Sequence, residues 1–256
     1  MLIIDADTHI APTGGEFALE EHLKRMERAG IDKTLTWLRP DYHGEEIEGH
    51  NRYIYDAMRR YPDKILGFGW ADPTVSVDHA KKMVKVCTEE YGLYGVKLNG
   101  AQNNYRIDDP TLALPVIEEI AKAGVMLAFH IGADFYENTH PFRAERVARM
   151  YPEMPVLMVH MGMTNRDMNQ AVVEIAQRCP NMYLIGSATT ERAVMHAIKT
   201  IGADRVLFGT DAPFQRPHVI RATYEAALAD DVSPAEHDLI MGGNAARLFS
   251  GVSSFS

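Results

Sequence analysis

Asp7 and His9 stand two residues apart at the end of the first apolar run, Leu2-Ile3-Ile4-Asp5-Ala6-Asp7-Thr8-His9. On an extended chain, side chains two apart point the same way, so both face one side. A carboxylate beside an imidazole suits a divalent cation of borderline hardness, Zn²⁺ or Mn²⁺. Further polar residues close later apolar runs: Lys97 in Val96-Lys97-Leu98-Asn99, His130 after Phe129, His160 after Val159, and Asp211 in Gly209-Thr210-Asp211. Three or four N and O ligands with one open position are what a catalytic metal requires. Four other histidines, His22, His79, His196 and His237, fall on helical patterns and read as solvated surface groups.

The elements that must carry these residues recur with a fixed interval. Short β-rich runs at 2–6, 31–38, 64–70, 94–98, 125–130, 155–160, 182–185 and 205–209 alternate with helical patterns. Their starts lie about 30 residues apart, the length of a strand plus its return helix. Pairs such as Ala29-Gly30, Tyr61-Pro62, Ala123-Gly124 and Tyr151-Pro152 stop the helices just before the next strand. Runs such as Val125-Met126-Leu127-Ala128-Phe129 are apolar throughout rather than alternating, as a parallel strand reads when covered on both faces. Eight such units predict an α/β chain folded as a near-minimal (β/α)₈ TIM barrel, with residues 1–256 forming one domain. In that fold chemistry sits at the C-terminal ends of the strands, where the polar residues above lie. If the barrel closes, strand eight lies beside strand one and Asp211 comes next to Asp7 and His9, with His130 reaching across the mouth.

Composition narrows the function classes. The chain has 256 residues, 46% apolar and 24% charged, as in an ordinary globular protein rather than a disordered one. A net charge of −9 disfavours a broad nucleic-acid or anionic-membrane surface. No apolar run approaches the length needed to span a bilayer. The start lacks the basic region of a secretory signal, and two distant cysteines form neither a disulfide scaffold nor a metal motif. These features predict a cytoplasmic protein with a small-molecule substrate and no nucleic-acid or membrane partner. Tyr- and Met-bearing outer helices could form a homodimer interface, but no sequence feature fixes the oligomeric state.

The motifs together resemble the amidohydrolase superfamily, in its amidohydrolase-2 branch of aminocarboxymuconate-semialdehyde decarboxylase-like proteins. The likeness runs nearly end to end. It rests on Ile4-Asp5-Ala6-Asp7-Thr8-His9, Gly95-Val96-Lys97-Leu98, Leu127-Ala128-Phe129-His130, Val156-Leu157-Met158-Val159-His160-Met161-Gly162, Leu207-Phe208-Gly209-Thr210-Asp211 and Gly243-Asn244-Ala245-Ala246-Arg247-Leu248-Phe249. The resemblance implies His9 and His130 as metal ligands, Asp211 as ligand and proton-handling base, and His160 as a group that orients water or substrate. Many relatives begin His-x-His, whereas this chain has Asp7-Thr8-His9. The extra carboxylate keeps Asp7 as a ligand and shifts the metal preference modestly from Zn²⁺ toward Mn²⁺. A strand-four lysine bridges two metals in binuclear members, but Lys97 fits a substrate contact better and one ion, with Zn²⁺ first, is expected.

Two reactions fit these parts. In the first, metal-bound water attacks a small ester, lactone or amide, with Asp211 as general base and His160 stabilising the developing charge. In the second, a small aromatic or unsaturated acid loses CO₂ without oxidation, and Arg39 after strand two is a cationic clamp for it alongside Lys97. Because aromatic-acid decarboxylases of this branch tend to be longer, the short chain favours the hydrolase, with a ligand-binding barrel as a third reading. Trp37, Tyr42, Trp70 and Phe214 could wall an apolar pocket for a ring.

Overall fold

Each barrel strand pairs in parallel with the next in sequence, and the last returns to the first. The computed structural model describes residues 1–41, 44–132 and 134–251. The strands are β1 (Ile4–Ile10), β2 (Lys33–Leu38), β3 in two pieces (Ile65–Gly67 and Gly69–Trp70), β4 (Gly95–Leu98), β5 (Met126–His130), β6 (Val156–Val159), β7 (Met182–Ile185) and β8 (Val206–Leu207). Pairing runs β1-β2-β3 and then β3-β4-β5-β6-β7-β8. Across the break in β3, the Phe68 amide donates to the Thr36 carbonyl at 3.0 Å, so the ring continues. It closes between β1 and the chain after β8, where Ala6 N–H donates to Phe208 O at 2.9 Å and Asp211 N–H to Asp7 O at 2.9 Å. This is the (β/α)₈ barrel expected from the spacing, and the first strand extends past the expected residue 6 to Ile10.

The apolar strands divide their side chains between two layers. Ile4, Ala6, Leu35, Trp37, Leu66, Phe68, Met126, Ala128, Leu157, Val159, Ile185 and Leu207 fill the barrel interior. Leu127 and Phe129 turn outward to the helical layer, where Val116, Ile117 and Ile120 of the helix Ala113–Lys122 are also buried. The final helix (Asn244–Gly251) closes the N-terminal end: Phe249 packs edge-on at 5.0 Å against Tyr94, just ahead of β4. No helix among the described residues is long and apolar enough to cross a membrane.

A register shift in β1 aims the polar residues. Asp5 pairs with Thr34 and Thr8 with Thr36, so three steps on β1 oppose two on β2. Such a bulge re-aims the side chains that follow it. Ile4 and Ala6 enter the apolar interior before it, and Asp7 and His9 enter the mouth after it. Thr8 turns away, its hydroxyl bonding Leu35 O at 2.9 Å.

His22 departs furthest from the surface reading. It lies on the buried face of α1 (Leu19–Ala29), its Nε2 2.9 Å from Thr34 Oγ1. Burial, with a smaller push from the Arg25 charge, lowers its pKa to about 3. The unfolded chain binds this proton near pH 6.5 and the folded chain does not, so stability falls as pH drops from about 6.5 toward 3. His22→Gln, which keeps a polar group toward Thr34, should flatten the difference. Denaturant unfolding at pH 6 and pH 5 should show the wild type losing roughly 1 kcal/mol more than the variant over that unit, and equal losses would contradict the assignment.

Candidate metal and catalytic site

The barrel closure brings Asp7, His9 and Asp211 together at the C-terminal end. One ligand atom from each lies within 4.8 Å of the others. His9 Nε2 is 3.7 Å from Asp7 Oδ1 and 3.4 Å from Asp211 Oδ1. The His9 ring is set by its other nitrogen, Nδ1, which bonds the Leu38 carbonyl. With its proton on Nδ1, Nε2 carries the lone pair, toward which Trp37 Nε1–H donates at 3.2 Å. Burial, aided by the Lys97 charge, pushes the His9 pKa down to about 3, so the ring is a neutral donor.

Asp7 Oδ1 is fully buried and has no hydrogen-bond partner. An orphaned carboxylate oxygen is costly unless a cation meets it. Burial and the nearby Asp211 charge raise the Asp7 pKa, against the pull of Lys97 and His9. Asp211 is raised as well, by burial above all, with His160 and Lys97 opposing. A buried carboxylate with one oxygen unpartnered, a second, partly exposed carboxylate and a neutral imidazole fit a divalent ion in both charge and donor type.

A second group of side chains backs this trio. Ser187, just past β7, donates to Asp7 Oδ2 at 2.5 Å, and His160 Nδ1 lies 2.9 Å from the same hydroxyl. Since the hydroxyl's one proton goes to the ionised carboxylate, Ser187 accepts from His160 Nδ1–H, which leaves the lone pair of His160 on Nε2. Burial lowers the His160 pKa to about 3. His160 and Asp211 both hold a positive φ, 71° and 59°, a left-handed conformation unfavourable to side-chain-bearing residues. Sequence reasoning misses Ser187, a small side chain with no signal beyond its place after a strand, and reads Trp37 only as a pocket wall, not as a donor to His9.

His130 stands apart from the trio. Its Nε2 is 2.8 Å from Asp134 Oδ1, and its ring meets His160 edge-on at 4.8 Å. Asp134 lies four residues beyond His130. Its pKa, which burial would raise, is lowered by the His130 hydrogen bond and charge. Gly132 lies between these two residues, and a Cβ there would run into both His130 Nε2 and Asp134 Oδ1.

Lys97 is wholly buried in the chamber, its Nζ 3.8 Å from the centroid of Trp37 and 5.3 Å from that of Trp70. Among the described residues no carboxylate comes within salt-bridge distance of it, and burial lowers its pKa to about 8 despite Asp7 and Asp211. Arg39 is placed differently. Its guanidinium is bound to Asp41 at 2.5 Å and lies over the Phe17 ring at 5.0 Å, so its charge is already engaged. Phe214 edges both His9, at 5.5 Å, and Phe17, at 5.6 Å, on the mouth's rim. Trp37 and Trp70 are buried beneath Lys97, and Tyr42 lies outside the described residues.

A family model described as Amidohydrolase, of the amidohydrolase-2 type, matches residues 4–251. The chain belongs to the amidohydrolase family. Among curated proteins, this amidohydrolase is 24% identical over 246 residues to a gamma-resorcylate decarboxylase of Polaromonas sp. (strain JS666), covering 78% of this chain and 74% of that one. A 2,6-dihydroxybenzoate decarboxylase from Rhizobium superposes with a TM-score of 0.77 at 20% identity, over 99% of this chain and 100% of its own. A dihydroxybenzoic acid decarboxylase from Polaromonas sp. JS666, crystallised with manganese and 2-nitroresorcinol, gives a TM-score of 0.78 at 20% identity, over 97% of each chain.

The hydrolase expectation is overturned by these relatives, which are decarboxylases. It had rested on chain length. The chemistry of the relatives outweighs that argument. Metal-water attack with Asp211 as general base falls with it.

Element-resolved metal content checks the trio directly. Protein purified without chelator or a metal-affinity column should carry about one equivalent of Zn or Mn. His9→Ala should lose most of it, since a ligand atom disappears, while a surface change such as His196→Ala should not.

Proposed function

We propose that this amidohydrolase catalyses metal-dependent, non-oxidative decarboxylation of a small hydroxylated aromatic acid. The observation that carries the proposal is the convergence of Asp7, His9 and Asp211, with the Asp7 Oδ1 atom unpartnered, beside a buried lysine that lacks a carboxylate. The decarboxylase relatives support the choice of reaction, and the manganese in one of them supports Mn²⁺ alongside Zn²⁺. Asp7, His9 and Asp211 would hold the ion once His9 Nε2 gives up the Trp37 N–H, with His130 as a fourth donor once Asp134 releases its Nε2. The bound ion supplies positive charge that binds and orients the substrate carboxylate and its neighbouring hydroxyl.

The protein's own groups then carry the proton. Lys97 provides an ammonium for the acid, and the buried mouth keeps that pair strong. The neutral His160, with its lone pair on Nε2, accepts from the substrate hydroxyl and releases electron density into the ring. Asp211 would hold the ion through one carboxylate oxygen and carry a proton from solvent on the other, which its burial favours. It gives that proton to the ring carbon bearing the carboxylate. The C–C bond then breaks, its electron pair returns to the ring, and CO₂ leaves. The Asp211 carboxylate recovers a proton from solvent. Residues 1–256 act as one catalytic domain in this reading, on a small-molecule substrate in the cytoplasm.

Metal-loaded protein should release CO₂ from at least one member of a hydroxybenzoate panel that includes 2,6-dihydroxybenzoate and 5-carboxyvanillate. Asp211→Asn should lower kcat on that substrate by about 10²–10⁴. Lys97→Met should raise KM by roughly tenfold or more, the worth of a charge-assisted contact. A metal-loaded enzyme that releases CO₂ from none of the panel would sink the reaction class. Asp211→Asn within tenfold of wild type would remove that residue as the acid.

A further inference from the structure

Ser187 joins two functional side chains from a strand that carries no other candidate. Its hydroxyl donates to Asp7 Oδ2 at 2.5 Å and accepts from His160 Nδ1, 2.9 Å away. His160 Nδ1 itself is 3.4 Å from the same carboxylate oxygen, too far for a good direct hydrogen bond. The hydroxyl therefore keeps imidazole and carboxylate apart while linking them. All three side chains are buried, so no bulk water replaces the serine.

The consequence falls on the other carboxylate oxygen. A carboxylate on a single χ2 torsion swings broadly, because terminal sp³–sp² torsions are soft. With Oδ2 tied to Ser187, the plane is fixed and Oδ1 is left toward His9 Nε2, at 3.7 Å, without a partner of its own. Gly209 helps by leaving room: a Cβ there would come within 3.3 Å of the Cβ atoms of both Asp7 and Ser187.

We propose that Ser187 is a positioning residue of the metal centre, holding the Asp7 carboxylate so that Oδ1 is presented as a ligand. This rests on the reading of Asp7, His9 and Asp211 as the metal site. Partners that orient ligands contribute about 10–100-fold in metal affinity.

The test is a double-mutant cycle read as zinc affinity, by competition with a chromophoric chelator on the full-length protein. Ser187→Ala should weaken zinc binding at least tenfold in the wild-type background. In an Asp7→Asn background the same change should shift affinity by less than twofold, since Ser187 acts through the carboxylate. Ser187→Cys, nearly isosteric with a weaker donor, should fall between serine and alanine, and it carries the test if the alanine variant does not fold. An unchanged affinity in Ser187→Ala, or an equal loss in both backgrounds, would overturn the positioning role and leave only a packing role. A wild-type protein that binds no zinc would instead sink the metal-site reading, which separates the two failures.

Discussion

The seam between the first and last strands is the constraint on which the site depends. Closing the ring forces Asp5, Asp7 and Asp211 into one strip, the first two wholly buried and the last partly exposed, because β1 and the chain after β8 exchange backbone hydrogen bonds there. Asp5 is satisfied within the seam, accepting from Thr210 N–H at 2.9 Å and Thr210 Oγ1 at 2.5 Å, and burial pushes its pKa up to about 8. Asp7 and Asp211 are not matched in this way. They face each other across His9 with Lys97 as the nearby cation, and like charges in a low-dielectric site repel strongly. The fold thus builds an electrostatic deficit that a divalent ion and an anionic substrate answer together.

Trp37 shows how closely packing and chemistry are joined at this seam. The indole belongs to the apolar interior, with its ring 5.8 Å from Phe68. The same indole supports the Lys97 ammonium on its face and points its N–H at His9. Cation–π contact and barrel packing therefore share one side chain. The lysine stays in the chamber without a carboxylate of its own because an aromatic face receives its charge.

Much of the barrel could be read from sequence because doubly covered parallel strands are continuous apolar runs at a regular interval. β5, β6 and β7 fall within a residue of their expected bounds at one or both ends. What escaped depended on partners distant in sequence. β1 runs on to Ile10 because Ala212 O receives the His9 amide, a contact 200 residues away in the chain that no local pattern encodes. His22 shares its helical stripe with the buried Leu19, Met26 and Ala29, and Thr34 gives it a buried partner. The approach of Asp7, His9 and Asp211 follows from barrel closure alone and was foreseen. The diversion of His130 to Asp134 depends on the space that Gly132 leaves between them, which sequence spacing does not show. The choice between hydrolysis and decarboxylation was not in the sequence, because one metal, one histidine and one acid serve either reaction.

The left-handed residues at the mouth have a wider consequence. Among the described residues, every side-chain-bearing position with a positive φ follows a barrel strand at its C-terminal end: Asn104, Phe135, His160, Met161, Met163, Ala188 and Asp211. At the opposite end, turns that need the same geometry use glycine, as at Gly30 and Gly124. Such positions cost roughly 1–3 kcal/mol each when they carry a side chain. One rim is thus taut and the other relaxed. A lineage adapting to heat would change the glycine rim and the outer helices freely, while the taut rim would stay fixed by what it holds in place.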